Sequence, residues 1–367
     1  MRHSKILILV PGDKTQGGVI NYYKALRTRF SSNIHYFTRG ARSWPRRGSV
    51  IFELARIFFD VIRFFIKLLL SRDVLVQTTT SFSSLALFRD GLFIIIAKLM
   101  RKKVIVFYRG WDEELAKVIE NKYLFLFRMV FFRADAIIEL SSYNVSRLRR
   151  WGYTKEIYLE TTLVDDVLVT GVDEHTISMK YSDIGVLNIL YMARVERIKG
   201  IYIALEAYAE LRKEYKNKVE FQLAGDGLEM DMVKNYILDN KIEGVSIHGF
   251  VQGEEKKELL NKAHLFLFPT MHGEGMPNSL LEALAVGLPV VTRPMGGSAD
   301  ILENGLHGFV TTSTDSKDYY ILLKNLIDNP QIMNEIGTRN YNYAKERFYA
   351  SKVVKRIENI FNEVLIK

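Results

Sequence analysis

Short apolar runs alternate with amphipathic segments along most of the chain. Runs rich in β-branched and aromatic residues, such as "KILILV" and "KKVIVFY", predict buried strands. Segments such as "GIYIALEAYAELRKEY" carry apolar residues at helical spacing. This alternation predicts parallel sheets with helices on both faces. We therefore expect an α/β protein with two doubly wound, Rossmann-like domains that face a cleft, where such sheets bind ligands.

The polar stretch 166–186 interrupts this alternation and is predicted to be a linker between two domains. It separates an N-terminal domain, residues 1–165, from a C-terminal domain, residues 187–345. The length of 367 residues is typical of two domains. Because the first apolar run is short, it is predicted to be a strand rather than a signal peptide.

Composition excludes some kinds of site and leaves one asymmetry to explain. The chain has no cysteine, so disulfides and thiolate-based zinc sites are excluded, and a reducing compartment fits. Residues 1–150 contain 27 Lys and Arg against 11 Asp and Glu, whereas the other residues contain 24 against 31. This split favours an anionic surface or substrate for the first half, although a solubilising charge excess explains it too. Nucleic acid is not expected as a partner, because no recognition motif accompanies the charge.

The stretch "HGEGMPNSLLEALAVGLPVV" places Glu274 and Glu282 around a predicted helix start. Pro277 suits the first helical turn, and Asn278 or Ser279 is a candidate cap. Such a helix start attracts phosphate. Carboxylates on either side of it accept hydrogen bonds from sugar hydroxyls, so the pattern indicates a nucleoside diphosphate sugar as ligand. Ordinary exposed glutamates are the alternative.

Further residues in the second half strengthen this interpretation. Arg194 and Lys199 follow a predicted strand, where two cations can neutralise a diphosphate leaving group. Gly225 in "LAGDG" and the pair Gly296 and Gly297 permit the backbone to approach a ligand closely.

From about residue 187 to 310 the chain resembles the donor-binding domain of the family 4 retaining glycosyltransferases, which have the GT-B fold. The matching segments are "ARVERIKG", "LAGDG", "HGF", "FLFPT", "GEGMPNSLLEALAVGLPVV" and "GLHGFV". The resemblance implies that Glu274 contacts the donor sugar and Glu282 the ribose, and that Arg194 and Lys199 hold the diphosphate. It also implies donor contacts from the loop residues Gly275, Met276, Pro277, Asn278, Ser279 and Leu280.

The first domain matches the family less well. Gly17 and Gly18 precede a predicted helix, and the family uses this loop near the donor phosphate, although a plain turn is an equal alternative. Many members carry a His where this chain has Arg109. Because arginine stays protonated, it cannot act as a base and would contact a phosphate or an acceptor oxygen instead. A structural cation is the alternative for Arg109, and Asp112 is a second candidate for an orienting group. Smaller departures are Ala193 and Asp300, where the family has Gly and Glu.

The segment 56–72, "RIFFDVIRFFIKLLLSR", leaves two interpretations open. On a helix, its charged residues form one narrow stripe and apolar residues fill the rest; the stripe consists of Arg56, Asp60, Arg63 and Lys67. A helix that lies in a membrane interface has this pattern, with its stripe among lipid headgroups. A helix buried against the sheet and a neighbour has it as well.

Together these features predict a retaining, hexosyltransferase-type glycosyltransferase that acts on a bacterial surface polysaccharide. The donor is expected to be a nucleoside diphosphate sugar, and the resemblance implies a lipid-linked glycan as the acceptor. No metal or cofactor is expected, because no Asp-x-Asp motif sits near the donor diphosphate. The resemblance implies that the last helix, 346–367, crosses back to the N-terminal domain. The protein is expected in the cytoplasm, bound peripherally to the inner leaflet of the cytoplasmic membrane. Alternatives are a related phosphorylase or epimerase, or a non-catalytic subunit that binds sugar nucleotides.

Overall fold

A computed structural model describes residues 5–12, 17–31, 33–40, 50–273 and 275–367. The chain forms two compact units. The first consists of residues 1–162 and 350–367, and the second of residues 163–349. The second unit is thus one continuous segment, while the first is built from both ends of the chain.

The described strands of the first unit form one parallel sheet in the order β2-β1-β3-β4-β5-β6. Its elements up to residue 162 are β1 (Lys5–Val10), α1 (Gly18–Leu26), β2 (Ile34–Thr38), α2 (Val50–Leu70), β3 (Asp73–Ser81), α3 (Ser84–Leu99), β4 (Lys103–Gly110), α4 (Glu113–Val118), a π-helical turn (Ile119–Tyr123), α5 (Leu124–Phe131), β5 (Ala136–Glu139), α6 (Ser142–Arg150) and β6 (Glu156–Leu159).

Helices cover both faces of this sheet. On one face α3 packs against both α2 and α5, as right-handed crossovers from β2 to β3 and onward require. The core under these helices is aromatic, and Phe64 of α2 lies 4.8 Å from Phe93 of α3 between ring centroids. The sheet interior is fully apolar at strands such as β4, whose residues Val104 to Val106 are completely buried.

The described strands of the second unit form another parallel sheet, in the order β12-β11-β10-β7-β8-β9. The unit contains α7 (Glu174–Ser182), β7 (Leu187–Met192), α8 (Ile201–Tyr215), β8 (Val219–Ala224), α9 (Met230–Asp239), β9 (Val245–Gly249), α10 (Gly253–Lys262), β10 (Leu265–Phe268), α11 (Asn278–Ala285), β11 (Val290–Thr292), β12 (Gly308–Val310), α12 (Ser316–Ile327) and α13 (Pro330–Arg347).

The stretch 166–186, which was expected to be a linker, is instead partly helical and belongs to the second unit. Helix α7 begins with a capping box in which Asp173 and Thr176 bond reciprocally. Its only buried residues are Ile177 and Tyr181, and the Tyr181 hydroxyl donates to the Gly287 carbonyl at 2.8 Å. Two apolar residues four positions apart are enough to dock one short helix, although the stretch is polar overall.

The final helix, α14 (Ala350–Ile366), belongs to the first unit and packs beside α1. The ring of Phe361 stacks on that of Phe30, with centroids 6.2 Å apart. The Arg356 guanidinium donates to both carboxylate oxygens of Glu160 at 2.9 to 3.1 Å. The C-terminal segment is therefore an integral layer of the first unit.

Within the described ranges, no helix is both long enough and apolar enough to span a bilayer.

Candidate functional site

The strand order of the second unit reverses between β7 and β10. From β7 the chain continues outward to β8 and β9, and it then returns to β10 on the other side of β7. In a parallel sheet, the loops that leave the carboxyl ends of two such strands diverge and open a crevice. The loops after β7 and β10 are therefore the first place to examine for a ligand site.

The loop after β7 carries Arg194 and Lys199. The Arg194 side chain is 64% exposed and donates to Glu196 at 2.8 Å. Lys199 lies in a single 3-10 turn and is buried, and its carbonyl accepts a hydrogen bond from Tyr191 at 3.1 Å. The two cations thus differ: one is at the surface with a carboxylate partner, and the other is enclosed.

The loop after β10 packs directly on this first loop. The Met271 N–H donates to the Ile198 carbonyl at 2.8 Å. Gly200 has a positive φ of 80°, and a Cβ at this position would lie 2.1 Å from the Pro269 carbonyl oxygen. Only glycine permits this approach. The sequence "KG" before α8 therefore places the loop of Arg194 and Lys199, called the cationic loop below, against the loop that leads to α11.

Helix α11 begins one residue later than expected. Pro277 is its N-cap rather than its first helical residue, and among the described residues no side chain caps the helix. The expected capping by Asn278 or Ser279 is therefore wrong. The first amides of the helix have no intrahelical acceptor, as at every helix start, and they carry the positive end of the helix dipole. Gly275, Met276 and Leu280 are buried around this end.

Glu282 lies on α11 one turn inside the helix, and its carboxylate already has a cationic partner. The Lys256 ammonium of α10 is 2.7 Å from Glu282 Oε1. Both side chains are largely buried, at 21% and 13% exposed for Lys256 and Glu282. A ribose that bonds Glu282 would join or displace this lysine.

Gly225 is required by packing within the protein. It has a φ of 147°, and a Cβ there would lie 1.8 Å from the Ala193 carbonyl oxygen. The Ala193 N–H in turn donates to the Ala224 carbonyl at 3.1 Å. The glycine therefore fixes the "LAGDG" loop against the start of the cationic loop. Gly297 likewise joins two loops, since its N–H donates to the Gly275 carbonyl at 2.9 Å.

Arg109 of the first unit ends β4 among aromatic rings. Its guanidinium carbon lies 4.0 Å from the Tyr22 ring centroid and 4.6 Å from that of Phe107. Burial lowers the pKa of Arg109. In the described part of the chain, its buried Nε and Nη1 atoms donate to no acceptor. If Arg109 were only a structural cation, it would require a carboxylate partner. None is found among the described residues.

The other predicted groups of the first unit have simpler surroundings. Gly17 is the N-cap of α1 with a φ of 135°, and Gly18 is the first residue of that helix. Asp112 caps α4 by accepting from the Leu115 N–H at 3.0 Å. Its carboxylate is thus engaged in a structural bond.

Part of the second unit is similar to a known protein family. Residues 185–344 match the family model of the glycosyl transferases group 1. This group 1 segment lies within the second unit and contains the cationic loop, Gly225, α11 and Glu282.

One relative matches more of the chain than this segment. An uncharacterized glycosyltransferase of Methanocaldococcus jannaschii is 22% identical over 84% of this chain and 78% of its own length. The amylovoran biosynthesis glycosyltransferase AmsK of Erwinia amylovora is 33% identical, but the match covers only 38% of this chain and 36% of AmsK. The group 1 segment thus has homologues in bacterial polysaccharide biosynthesis.

A solved structure has the same architecture over nearly the whole chain. The Anabaena protein HepE, crystallised with UDP and glucose, superposes with a TM-score of 0.70 and 20% identity, over 98% of this chain and 100% of HepE. This likeness confirms the predicted α/β, GT-B fold class.

Within the group 1 segment, the structure brings most predicted donor residues to one edge of the sheet. Arg194, Lys199, Gly225 and the start of α11 all follow carboxyl ends of parallel strands. Glu274 lies outside the described residues. Lys256 was missed by sequence reasoning, because nothing in a run of charged residues on α10 distinguishes the one that faces Glu282.

A buried acid in the first unit was also missed. Glu139 ends β5, accepts from the Leu140 N–H at 2.8 Å and accepts from the Trp111 indole. Burial raises the pKa of Glu139 to about 8, although these hydrogen bonds oppose the shift. A lone carboxylate at the end of the apolar run "AIIEL" was the available sequence signal. Its contacts show that it holds Trp111 in place.

A cavity of about 860 Å³ in the second unit is lined by none of the predicted donor residues. It is lined by Asn188 at the start of β7, and by His264 just before β10. These positions are at the amino ends of the strands, opposite the cationic loop. Lys180 also lines this cavity, and burial lowers its pKa to about 7.

Proposed function

We propose that the protein is a family 4 retaining glycosyltransferase. It transfers a sugar from a nucleoside diphosphate donor to a hydroxyl of a growing, lipid-linked bacterial surface polysaccharide, such as O-antigen, capsule or exopolysaccharide. The observation that carries this proposal is the strand-reversal point of the group 1 segment. There the chain places two cations, from Arg194 and Lys199, on a loop bonded to the loop that leads to α11.

The proposed donor contacts follow from charge and chemistry. Arg194 and Lys199 hold the diphosphate, and the first amides of α11 bind its oxygens. Glu282 accepts hydrogen bonds from the ribose hydroxyls. The role of Glu274, contact with the donor sugar, rests on its place in the sequence motif alone.

In the proposed reaction, the acceptor hydroxyl oxygen forms a bond to the anomeric carbon while the bond from that carbon to the donor phosphate breaks. The nucleoside diphosphate leaves, and a phosphate oxygen takes the proton of the hydroxyl. Arg194 and Lys199 stabilise the negative charge that develops on the leaving group. No protein base is required, which agrees with an arginine at position 109.

Arg109 is proposed to contact an anionic or hydroxyl oxygen of the substrates. Two of its buried nitrogen atoms have no acceptor among the described residues, which favours this role, because buried donors in folded proteins normally have a partner. The relative AmsK is named as an amylovoran biosynthesis glycosyltransferase, and this similarity supports a polysaccharide acceptor.

Donor binding is tested by thermal shift with UDP-, GDP-, ADP- and dTDP-sugars, with and without EDTA. Ligands that bind the folded state raise its melting temperature. UDP-sugars come first, because HepE holds UDP. A shift with one nucleotide class that EDTA does not change is the expected result. A shift abolished by EDTA would contradict the assignment of the diphosphate to the two cations.

Turnover is tested next, with product stereochemistry followed by NMR. An α-linked donor should give an α-linked product. Glu274→Gln should lose turnover while it keeps the melting temperature, and Glu303→Gln, an exposed glutamate of the same unit, should change neither. Nucleotide binding without turnover on any glycan acceptor would favour the non-catalytic subunit instead.

A further inference from the structure

Helix α2 presents an apolar face to solvent. Among the described side chains of this helix, ten large apolar ones are exposed. The most exposed are Ile51, Phe52, Phe58, Phe59, Leu69 and Leu70, at 55 to 82%. We call the exposed large apolar side chains of Val50–Leu70 the outer face of α2. Isolated exposed apolar residues are ordinary, but a continuous face of this size usually marks an interaction site.

The opposite side of α2 fixes the helix to the first unit. Ile57, Phe64 and Leu68 are buried, and the Phe64 ring packs on Phe37 with centroids 5.5 Å apart. Asp60 is fully buried and accepts from the Gly40 N–H at 2.8 Å. The helix therefore cannot turn its outer face inward without losing these contacts.

The sequence left two interpretations of this helix, a membrane-interface helix and a core helix, and each accounts for only one side of it. The core helix explains Ile57, Phe64 and Leu68. The charged stripe is not the outermost part of the helix, because its member Asp60 is buried. The large apolar residues are outermost, so transfer of their side chains from water to an apolar environment is favourable.

Cations border the outer face along one side. At 3.6 residues per turn, the outer face spans an arc of roughly 160° that contains no charged residue. Arg63, Arg56 and Lys67 come next around the helix, between the outer face and the core side. The acidic groups lie beyond them toward the core, where Glu53 pairs with Arg56 at 2.7 Å and Asp60 with Arg63 at 3.0 Å.

We propose that the outer face of α2 docks on the surface of an anionic lipid bilayer. The apolar side chains enter the boundary between headgroups and acyl chains, and Arg56, Arg63 and Lys67 contact lipid phosphates. The helix lies along the membrane plane, with its core side held by the rest of the unit. This inference does not depend on the proposed reaction, and it assigns the membrane contact to one face of one helix.

Charge favours a bilayer over a second copy of the chain as the occupant. Residues 1–150 hold 27 Lys and Arg against 11 Asp and Glu. Two such basic units repel one another at close approach, whereas anionic lipids attract them. Long basic side chains beside an apolar face also suit a lipid interface, because their stems lie on apolar surface while the charge reaches the headgroups.

The test is co-sedimentation of the full chain with vesicles, without nucleotide or acceptor. Equal mixtures of phosphatidylglycerol and phosphatidylcholine are compared with phosphatidylcholine alone. We expect binding to the anionic vesicles that added salt weakens, and at least tenfold weaker binding to phosphatidylcholine. Equal binding to both vesicle types would overturn the proposed part of the cations.

Variants locate the contact. Phe58, Phe65 and Leu69 lie on one line of the outer face and are 62%, 44% and 59% exposed. The triple variant F58S/F65S/L69S should bind anionic vesicles at least tenfold more weakly. The matched control L228S/L238S/I321S removes three exposed apolar side chains of the second unit and should bind as the parent does. Equal loss in both variants would refute docking through α2.

Folding and self-association are measured on the same samples. Because the replaced residues are exposed, the triple variant should keep the melting temperature and the thermal shift by the donor nucleotide. Sedimentation velocity reports the state of the parent chain. A parent that ignores vesicles but forms dimers, which F58S/F65S/L69S converts to monomers, would replace the membrane by a second copy as the occupant.

Discussion

Glu282 is the residue at which the proposed donor chemistry can be tested most directly. Glu282→Gln keeps the shape of the side chain but removes the charge that strengthens hydrogen bonds to ribose hydroxyls. Such bonds contribute about 1.5–3 kcal/mol, so the Kd for the donor nucleotide should rise roughly 10- to 100-fold. Isothermal titration calorimetry with the nucleoside diphosphate measures it.

Lys256→Met is the matched control for this change. It removes the partner of Glu282 at 2.7 Å but leaves the carboxylate in place. We expect a much smaller change in Kd than for Glu282→Gln. If both variants lose affinity equally, the ion pair itself, rather than a ribose contact by Glu282, maintains the site.

Lys180 should make the stability of the second unit depend on pH. Burial lowers its pKa from 10.5 to about 7, although its ammonium donates to the Val286 carbonyl at 3.1 Å. Between these two values the unfolded chain binds a proton that the folded chain does not, so the free energy of unfolding should rise with pH. The contribution is complete above 10.5 and is lost as the pH falls to about 7.

Urea unfolding at the two ends of this window measures the effect. Lys180→Met should flatten the rise in stability between pH 7 and pH 10.5. Lys262→Met is the control, since Lys262 lines the same cavity but its side chain is 73% exposed. An unchanged slope in Lys180→Met would show that the lysine is solvated in the folded protein.

At the residue scale, the sequence predicted which groups follow the carboxyl ends of strands, but not what surrounds them. Arg194 and Lys199 could be placed because a strand, a short loop and a helix follow one another locally. The partner of Glu282 lies 26 positions away on another helix, and the Tyr22 ring under Arg109 comes from α1. Such pairings depend on how elements pack, which one sequence does not encode locally.

At the element scale, strongly patterned segments were predicted and weakly patterned ones were not. The apolar strands β1, β3, β4, β7 and β10 stand out because both of their faces are buried. The strands β2 and β6 are short and half-exposed, and they were missed. Helix α7 was missed because only two of its residues are buried. Tertiary contacts, rather than local pattern, hold such elements.

Arg356 of α14 forms an ion pair with the rest of the first unit that a single substitution removes. Arg356 donates to Glu160 and to the Thr161 hydroxyl, and Glu160 is only 7% exposed. Arg356→Ala should therefore lower the free energy of unfolding of the first unit by about 2 kcal/mol, since a largely buried carboxylate loses its partner. Amide hydrogen exchange should show the loss first in α14.

Lys355→Ala is the control for this change, because it alters an exposed neighbour on the same helix. Its effect should be about 0.5 kcal/mol or less. If Arg356→Ala is equally mild, the apolar contacts of α14, such as Phe361 on Phe30, hold the helix without the ion pair.

At the scale of the whole molecule, the chain leaves the first unit once and returns once. The two ends of the second unit meet, because the Val164 N–H donates to the Phe348 carbonyl at 2.8 Å and Val164 bridges to Tyr349. The two segments of the first unit also meet close to these positions, because Glu160 near the end of the first segment pairs with Arg356 of the last helix. Termini that lie together and a core of its own are the features of a segment that folds independently.

Residues 163–349 should therefore fold alone and bind the donor nucleotide with the affinity of the full chain. Residues 1–162 alone should not fold stably, because they lack α14 and would expose Phe30 and the partners of Phe361 and Arg356. Circular dichroism with urea unfolding, and calorimetry with the nucleotide, measure both. An isolated second unit that folds but binds at least tenfold more weakly would show that the first unit contributes donor contacts, and Arg109 would then be the first residue to replace in the full chain.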